Sequence, residues 1–510
     1  MTTGLWRILL LLGTAVRLCG QTEYDEAAAY LRGGDANRAI PMLERIVAAE
    51  PRNLKARNLL GIALLSAGRR SEAAAHFSTA LDVDPNFLPA LKNLAVCEAG
   101  LGRQKESQAH FEKLLTAVPS DPVAHLYLAD FAFNAQDYGS ASRHYRSSGG
   151  LYLQNAESTL RFARACLETG DPEAAGDALD RLPANAADAQ FQSGVLLANA
   201  KRYQAAARHF EYAAPNYSDR YQVGFNLALV YLKAGEYAAS ARAAEAVAAE
   251  YPKAELENLL SRAYEGGGRT QEAYDALRVA IRLDPTDERN YQDLMALCLA
   301  HENWDLSLEI SEIALRRIPA SYRLRMQRGA VLAMKGRLDE AEGEFRAAGE
   351  LAPKTGLPSV AVAIVLLEKK EPERAIAVLR RRREQYGGEP KVDWLLGEAL
   401  IQHGSDADAI PLLTEAVRLD PEALQPRILL GKLLEKGGKI TDAIRCFEEA
   451  HRLDPAERTA AYHLAMLYRR AGNVKEAEAL LQQVGELTSA SEPVATGSRD
   501  LVRILREGSQ

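Results

Sequence analysis

The 510-residue chain is poor in the residues that carry most site chemistry. Cysteine occurs five times, tryptophan three times and histidine nine times, and aromatic residues make up 7 %. No Cys-x-x-Cys pair is present, which removes zinc ribbons and dithiol redox motifs. Beyond the amino-terminal head no stretch approaches the roughly 20 apolar residues of a membrane-spanning helix, so the mature chain is expected to hold no transmembrane segment. Basic residues are outnumbered, 62 against 69, and a formal charge of −7 argues against a nucleic-acid partner. Gly-x-Ser-x-Gly, a Walker phosphate loop and His-Glu-x-x-His are all missing. Gly266-Gly267-Gly268 imitates a phosphate loop in isolation, but its neighbours read as helices and no strand precedes it.

What is present is apolar, alanine-rich and helical in character: 47 % of residues are hydrophobic and 26 % charged. Residues 1–20 stand apart. Arg7 precedes an apolar run from Ile8 to Val16, followed by Arg17-Leu18-Cys19-Gly20. About nine apolar residues are too few to span a bilayer and suit the core of a secretory signal. Leu18 and Arg17 depart from a cleavage pattern that prefers small residues. The expectation is a cleaved signal peptide and an exported chain, periplasmic or extracellular. A lipid-modified Cys19 and a cytoplasmic chain that keeps its head are the alternatives.

The rest of the chain repeats itself every 34 residues. Leu54 to Pro85 contains Leu60-Gly61, Leu64, Gly68, Ala73, Phe77, Ala80 and Asp84-Pro85. The series returns as Leu94-Ala95, Gly102, Phe111 and Pro119; as Gly329, Gly336, Ala341, Phe345, Ala348 and Pro353; and as Gly397, Gly404, Ala409, Ala416 and Pro421. It recurs as Gly431, Gly438, Ala443, Phe447, Ala450 and Pro455, with a last unit at Ala465, Tyr468, Gly472 and Ala477. Gly61, Gly329, Gly397 and Gly431 would let two paired helices approach closely. Gly68, Gly336 and Gly438 would end the first helix in a left-handed elbow. Ala73, Ala341 and Ala443 fall where the two helices touch. Phe77, Phe345 and Phe447 are expected to fill the wedge between neighbouring units. Asp84-Pro85, Asp284-Pro285, Asp420-Pro421 and Asp454-Pro455 would stop the second helix, because residues before proline avoid the α region.

This period and residue series resemble the tetratricopeptide repeat (TPR). The resemblance implies an all-α fold, an α/α solenoid in which helix-turn-helix units stack into a right-handed superhelix. About fourteen units are expected, their first helices opening near residues 20, 54, 88, 122, 156, 187, 221, 254, 288, 322, 356, 390, 424 and 458. The expected layout is a signal at 1–20, units 1–4 over 21–148, irregular units 5–6 over 149–220, units 7–14 over 221–484, and a linker with a capping helix over 485–510. Between Ser147 and Asp219 the spacing contracts to 31, Ser148-Gly149-Gly150 replaces a proline closure and Pro183 arrives early. Arg499 to Arg506 reads as a short amphipathic helix that covers the last unit.

Repeats occupy roughly residues 20–484 and leave no stretch here for a separate catalytic domain, so no enzyme activity, catalytic residue, cofactor or metal is expected. Cys97, Cys166, Cys298 and Cys446 fall in units that are not neighbours and are expected to be buried free thiols. His76, His110, His144 and His209 each precede the aromatic slot of their unit. The first three lie in consecutive units, where they form a possible ladder. Arg380-Arg381-Arg382-Arg383 is the sharpest basic run and closes a second helix, where cations complement the helix dipole. Its functional reading is a ridge for an anionic partner, although Arg382 occupies a slot held elsewhere by Ala80, Ala348 or Ala450.

In this family the first helices line a concave groove for peptides. Mapped onto this sequence, the groove gains Phe191, Val195, Phe225, Leu229 and Leu232, and further along Met326, Met334, Val360, Ile364, Leu367 and Trp394. Asn58, Lys92 and Asn93 are the nearest match to a clamp for a peptide carboxylate, with Ile62 and Val96 where polar residues would be wanted. The reading that follows is a non-enzymatic scaffold that binds partner proteins or peptides. An exported assembly or secretion factor for envelope or extracellular polysaccharide, and a docking subunit for a separate enzyme, are the alternatives. Amino-terminal sequencing of the chain from fractionated cells is expected to find the head removed after the Cys19-Gly20 region; an intact Met1 in the cytosol would refute export.

Overall fold

The computed structural model describes residues 23–489, with side chains as far as Glu486. The signal-like head at 1–20, Cys19 and the expected capping helix at 499–506 lie outside the described residues. Within them all regular structure is helical, with no strand. No described helix is long and apolar enough to cross a membrane.

The helices come as antiparallel hairpins, and the pair Leu54–Ser66 and Arg70–Val83 shows how the sequence makes one. Asn53 opens the first helix, its side chain accepting from the Ala56 N–H at 3.0 Å. Gly68 closes the elbow at φ 78°. The second helix stops at Asp84, whose backbone is extended (φ −141°, ψ 101°) because Pro85 follows. The Asp84 carboxylate then accepts from the Asn86 N–H at 2.9 Å, and Asp284, Asp420 and Asp454 repeat the device. Thus the Asp-Pro closure both ends a helix and aims the chain into the next pair.

What holds the hairpin is a phenyl ring on a bare backbone. Phe77 is fully buried, and a Cβ placed on Gly61 would lie 2.4 Å from its ring. The same contact joins Gly194 to Phe210, Gly329 to Phe345 and Gly431 to Phe447. The aromatic slot therefore packs first against the glycine of its own pair, where the sequence had suggested the wedge between units. Burying such a ring contributes about 2–3 kcal/mol. Second helices also pack on the first helix of the following pair, as Arg70–Val83 does on Leu88–Gly100 and Leu338–Leu351 on Leu357–Glu368. Gly268 takes the elbow conformation (φ 73°), so the glycine triplet is a turn between helices Ala254–Gly266 and Thr270–Leu283.

Four elbows lack glycine. Gln136, Lys201, Glu302 and Lys370 occupy the left-handed region at φ 56–63°, a conformation that crowds Cβ against the backbone.

The chain divides into two compact parts between Ala243 and Ala244. The amino-terminal part holds the irregular stretch. Ser148 ends the helix Tyr138–Ser147, Gly149 and Gly150 both take positive φ, and a 3-10 turn, Leu151–Gln154, is inserted. Next, the second helix Pro172–Leu179 has only 8 residues, against 14 in Arg70–Val83. The carboxy-terminal part, described on its own, is regular hairpin stacking around two buried clusters, one from Ala273 to Leu324 and one from Met326 to Leu467.

Two substitutions test these contacts. Gly329→Val forces a side chain into the Phe345 ring and is expected to cost about 1–3 kcal/mol in urea unfolding. Glu302→Gly relieves a left-handed residue and is expected to gain about 0.5–1 kcal/mol.

Candidate interaction surfaces

The apolar residues assigned to the groove separate into two groups. In the amino-terminal part Phe225, Leu229 and Leu232 lie half-buried along the helix Arg220–Lys233, with Val195 half-buried on Ala187–Asn199. Tyr221 stacks beside Phe225 at 5.8 Å between ring centroids. Phe191 is buried instead: its ring stacks on Tyr217 at 4.2 Å and 11° and lies 5.4 Å from Phe210. In the carboxy-terminal part Met326, Val360, Ile364 and Leu367 are between 2 % and 8 % exposed and belong to the core. Those four are a correction: they do not line an open face. For Val360, Ile364 and Leu367 the cause is the helix Leu357–Glu368, where every residue from Val360 to Leu367 is buried; Met326 is buried on the preceding first helix, Tyr322–Met334. Met334 and Trp394 are half-buried, Trp394 against that same core.

The arginine run is likewise divided. Arg380 and Arg381 are exposed. Arg382 is 6 % exposed and committed: it donates to the Pro353 and Lys354 carbonyls at 2.8 Å each and to Glu389 at 2.9 Å. Its guanidinium lies 4.0 Å from the Tyr386 ring centroid. An arginine in the alanine slot therefore reaches the loop that leads into its own pair. Arg383 donates to the fully buried Asp393 at 2.6 Å. The expected ridge shrinks to two free cations.

The histidines do not form a ladder. His110 bonds Glu98 at 2.7 Å, His144 meets His125 at 2.9 Å, and His209 donates from Nδ1 to Gln190 Oε1 at 2.6 Å. Each ring reaches back to the first helix of its own pair. Burial pushes the His209 and His144 pKa values down. Among the described residues no three His, Cys, Asp or Glu side chains come together to hold a metal ion. Asn93 donates to Asn58 at 3.1 Å and Lys92 pairs with Asp121 at 2.8 Å, so these clamp candidates are engaged within the fold. Cys97, Cys166, Cys298 and Cys446 are free thiols, the first three buried, and burial raises the pKa of all four.

One feature of the amino-terminal part has no counterpart among the sequence expectations. A cavity of about 740 Å³ opens between the starts of the first helices Ala156–Glu168 and Ala187–Asn199, lined by Ala156, Glu157, Leu160, Asn185, Asp188 and Gln192 among others.

Helical hairpins stacked in series, closed by Asp-Pro turns and pinned by a ring on a glycine, define a helical-repeat interaction protein. Family models for the tetratricopeptide repeat match residues 30–96 and 64–125, and again 225–288, 299–354, 361–423 and 428–490. The chain belongs to the tetratricopeptide repeat family. Solved structures similar to it include yeast Tom70, at 15 % identity over 97 % of this chain and 96 % of that one with a TM-score of 0.39. Another is the APC/C hetero-tetramer Cut9–Hcn1, at 12 % identity over 96 % and 97 % with a TM-score of 0.34. A third is Naa15/Naa10 bound to HypK-THB, at 14 % over 96 % of each chain with a TM-score of 0.33. No curated protein matches the sequence.

Asp393 supplies a test of the buried arginine pairing. Desolvation holds its carboxyl above the ordinary value of 3.8 despite Arg383, with Glu415 and Glu389 pushing the same way. The folded chain thus binds this proton more tightly than the unfolded chain. The associated stability is complete below pH 3.8 and is lost as pH rises through the raised value. Asp393→Asn is expected to match the wild type in urea unfolding near pH 4 and to exceed it at pH 7.

Proposed function

We propose that the chain is a non-enzymatic scaffold, working outside the cytoplasm, that holds partner proteins or peptides on the first-helix face of its amino-terminal part. The observation that carries this reading is the half-open apolar row Val195, Phe225, Leu229 and Leu232. It sits on two successive first helices of a repeat whose regular slots are otherwise spent on internal packing. Apolar side chains left partly in water on such a face gain free energy by covering them with a partner. Membership in the tetratricopeptide repeat family supports protein partners, and the signal-like head supports export. The polysaccharide reading draws less support, because Arg382 and Arg383 are consumed by internal bonds.

The test is capture from the native source with the full chain as bait, carrying a photo-crosslinking residue at position 229. Specific protein adducts are expected, and Leu229→Glu is expected to lose at least about tenfold of the captured partner while helix content stays unchanged. Arg380→Ala with Arg381→Ala should leave capture intact. An unchanged set of adducts in the Leu229→Glu chain would overturn the assignment. Retention of a polymer without protein would favour the polysaccharide factor.

A further inference from the structure

The hairpin of Pro122–Asn134 and Tyr138–Ser147 is built with less to hold it than the pair pinned by Phe77. Ala129 stands in the slot of Gly61, and the ring slot is taken by Tyr145, whose hydroxyl donates to Asp130 at 2.5 Å. The second helix has 10 residues against 14 in Arg70–Val83, which removes about 6 Å of packing length. Its elbow residue, Gln136, is held at φ 61° without being glycine. No Asp-Pro stop follows, and the chain leaves through Gly149 and Gly150. This short helix nevertheless covers part of the next pair. Ser142 Oγ lies 3.6 Å from the buried Cys166 sulfur, and the Tyr145 ring stands 5.9 Å from that of Phe162.

Two imidazoles close the hairpin. His125 on the first helix and His144 on the second meet Nδ1 to Nδ1 at 2.9 Å, with ring centroids 5.2 Å apart. The other nitrogen of His125, Nε2, lies 2.9 Å from the Pro119 carbonyl oxygen. A carbonyl can only accept, so Nε2 carries the hydrogen and Nδ1 of the neutral His125 ring is a bare acceptor. The hydrogen between the rings therefore belongs to His144 Nδ1, and His144 Nε2 is left unprotonated. A first proton from solution can go to His144 Nε2 and keep both bonds. A second can go only to His125 Nδ1, which sets N–H against N–H and places two positive rings side by side.

The surrounding charges do not cancel that repulsion. Arg143 adds to it, while Glu112 on Gln104–Ala117 and Asp137 at the elbow act the other way. Asp121, at the start of the His125 helix, is occupied by Lys92 and by the Val123 and Ala124 N–H groups. Burial, His125 and Arg143 outweigh Glu112 and Asp137 and hold the His144 pKa below its ordinary 6.5. The folded chain thus binds this proton more weakly than the unfolded chain, so the associated stability is complete above pH 6.5 and is lost as pH falls below it. His209 differs. Its Nδ1 donates to Gln190 and its Nε2 lies 3.5 Å from Asp180, so a charged ring keeps both contacts.

We propose that the imidazole pair is an acid-released latch: a second proton taken up between His125 and His144 parts Tyr138–Ser147 from Pro122–Asn134 and uncovers Cys166, while hairpins pinned by a ring on glycine stay closed. The latch is set by the protonation of two side chains and needs no bound partner.

The test is hydrogen exchange read by mass spectrometry on the full chain at pH 7.5 and pH 4.5, with Arg70–Val83 as the internal reference. The ratio of exchange in Tyr138–Ser147 to that in Arg70–Val83 cancels the intrinsic pH dependence. It is expected to rise at least about tenfold on acidification, the equivalent of one pKa unit. His144→Gln and, as a second variant, His125→Gln cannot be doubly charged, and in each the rise should fall below about twofold. His209→Gln should keep the full rise. Protection of Arg70–Val83 and helix content at pH 7.5 are the folding controls. A flat ratio in the wild type, a rise that persists in both glutamine variants of the pair, or a rise abolished by His209→Gln overturns the proposal. So does an equal loss of protection in Arg70–Val83, because acid would then unfold the array as a whole.

Discussion

The contact on which the fold depends is the phenyl ring laid on a glycine. Phe77 on Gly61, Phe210 on Gly194, Phe345 on Gly329 and Phe447 on Gly431 each join two helices so closely that a Cβ on the glycine would lie 2.4–2.8 Å from the ring, and Leu413 on Gly397 does the same with an aliphatic side chain. Once that distance is set, the alanines at Ala73, Ala341 and Ala443 fit the crossing with no exposure. Leucines such as Leu60 and Leu64 then fill the space around the ring. Because each hairpin touches chiefly its neighbours, the array has no distant contact to compensate a failed pair. Stability is a sum of similar local terms, and the regular glycines mark where those terms are largest.

That regularity explains what was legible beforehand and what was not. Slots with a single physical solution could be read residue by residue: the elbow at Gly68, the Asp-Pro stop at Asp84, the close approach at Gly61. Exposure could not be read in the same way. A first-helix position such as Val360 faces both adjacent first helices as well as the groove, and the same periodicity describes Leu229, which is half open, and Val360, which is buried. Arg382 was recognised as out of place, but its bonds to the Pro353 and Lys354 carbonyls depend on a loop 28 to 29 residues earlier, and its bond to Glu389 on a residue seven positions later. The histidines shared a slot without sharing a partner, since each second helix turns its ring toward its own hairpin. The elbows at Gln136, Lys201, Glu302 and Lys370 were masked because the backbone tolerates a side chain there at modest cost.

The irregular stretch between Ser147 and Asp219 has the opposite character. Where the repeat is faithful, polar side chains are engaged: Lys92 with Asp121, Glu342 with Lys369 and Arg346. In the irregular stretch the partners are local substitutes, such as Arg146 with Asp171 and His209 with Gln190. Contraction of the spacing from 34 to 31 was visible in the residues, but which helix lost its turns was not. The loss falls on the second helix and leaves the first at its usual 13 residues.

The thiols have a consequence of another kind. Cys97, Cys166 and Cys298 are sealed in separate hairpins, and burial keeps each protonated well beyond neutral pH. A protonated, enclosed sulfur neither attacks disulfides nor meets oxidants. Each becomes reactive only when its own hairpin opens. The chain therefore carries three internal clocks along its length, two in the amino-terminal part and one in the carboxy-terminal part, and the order in which they react with an alkylating reagent would trace the order in which the array comes undone.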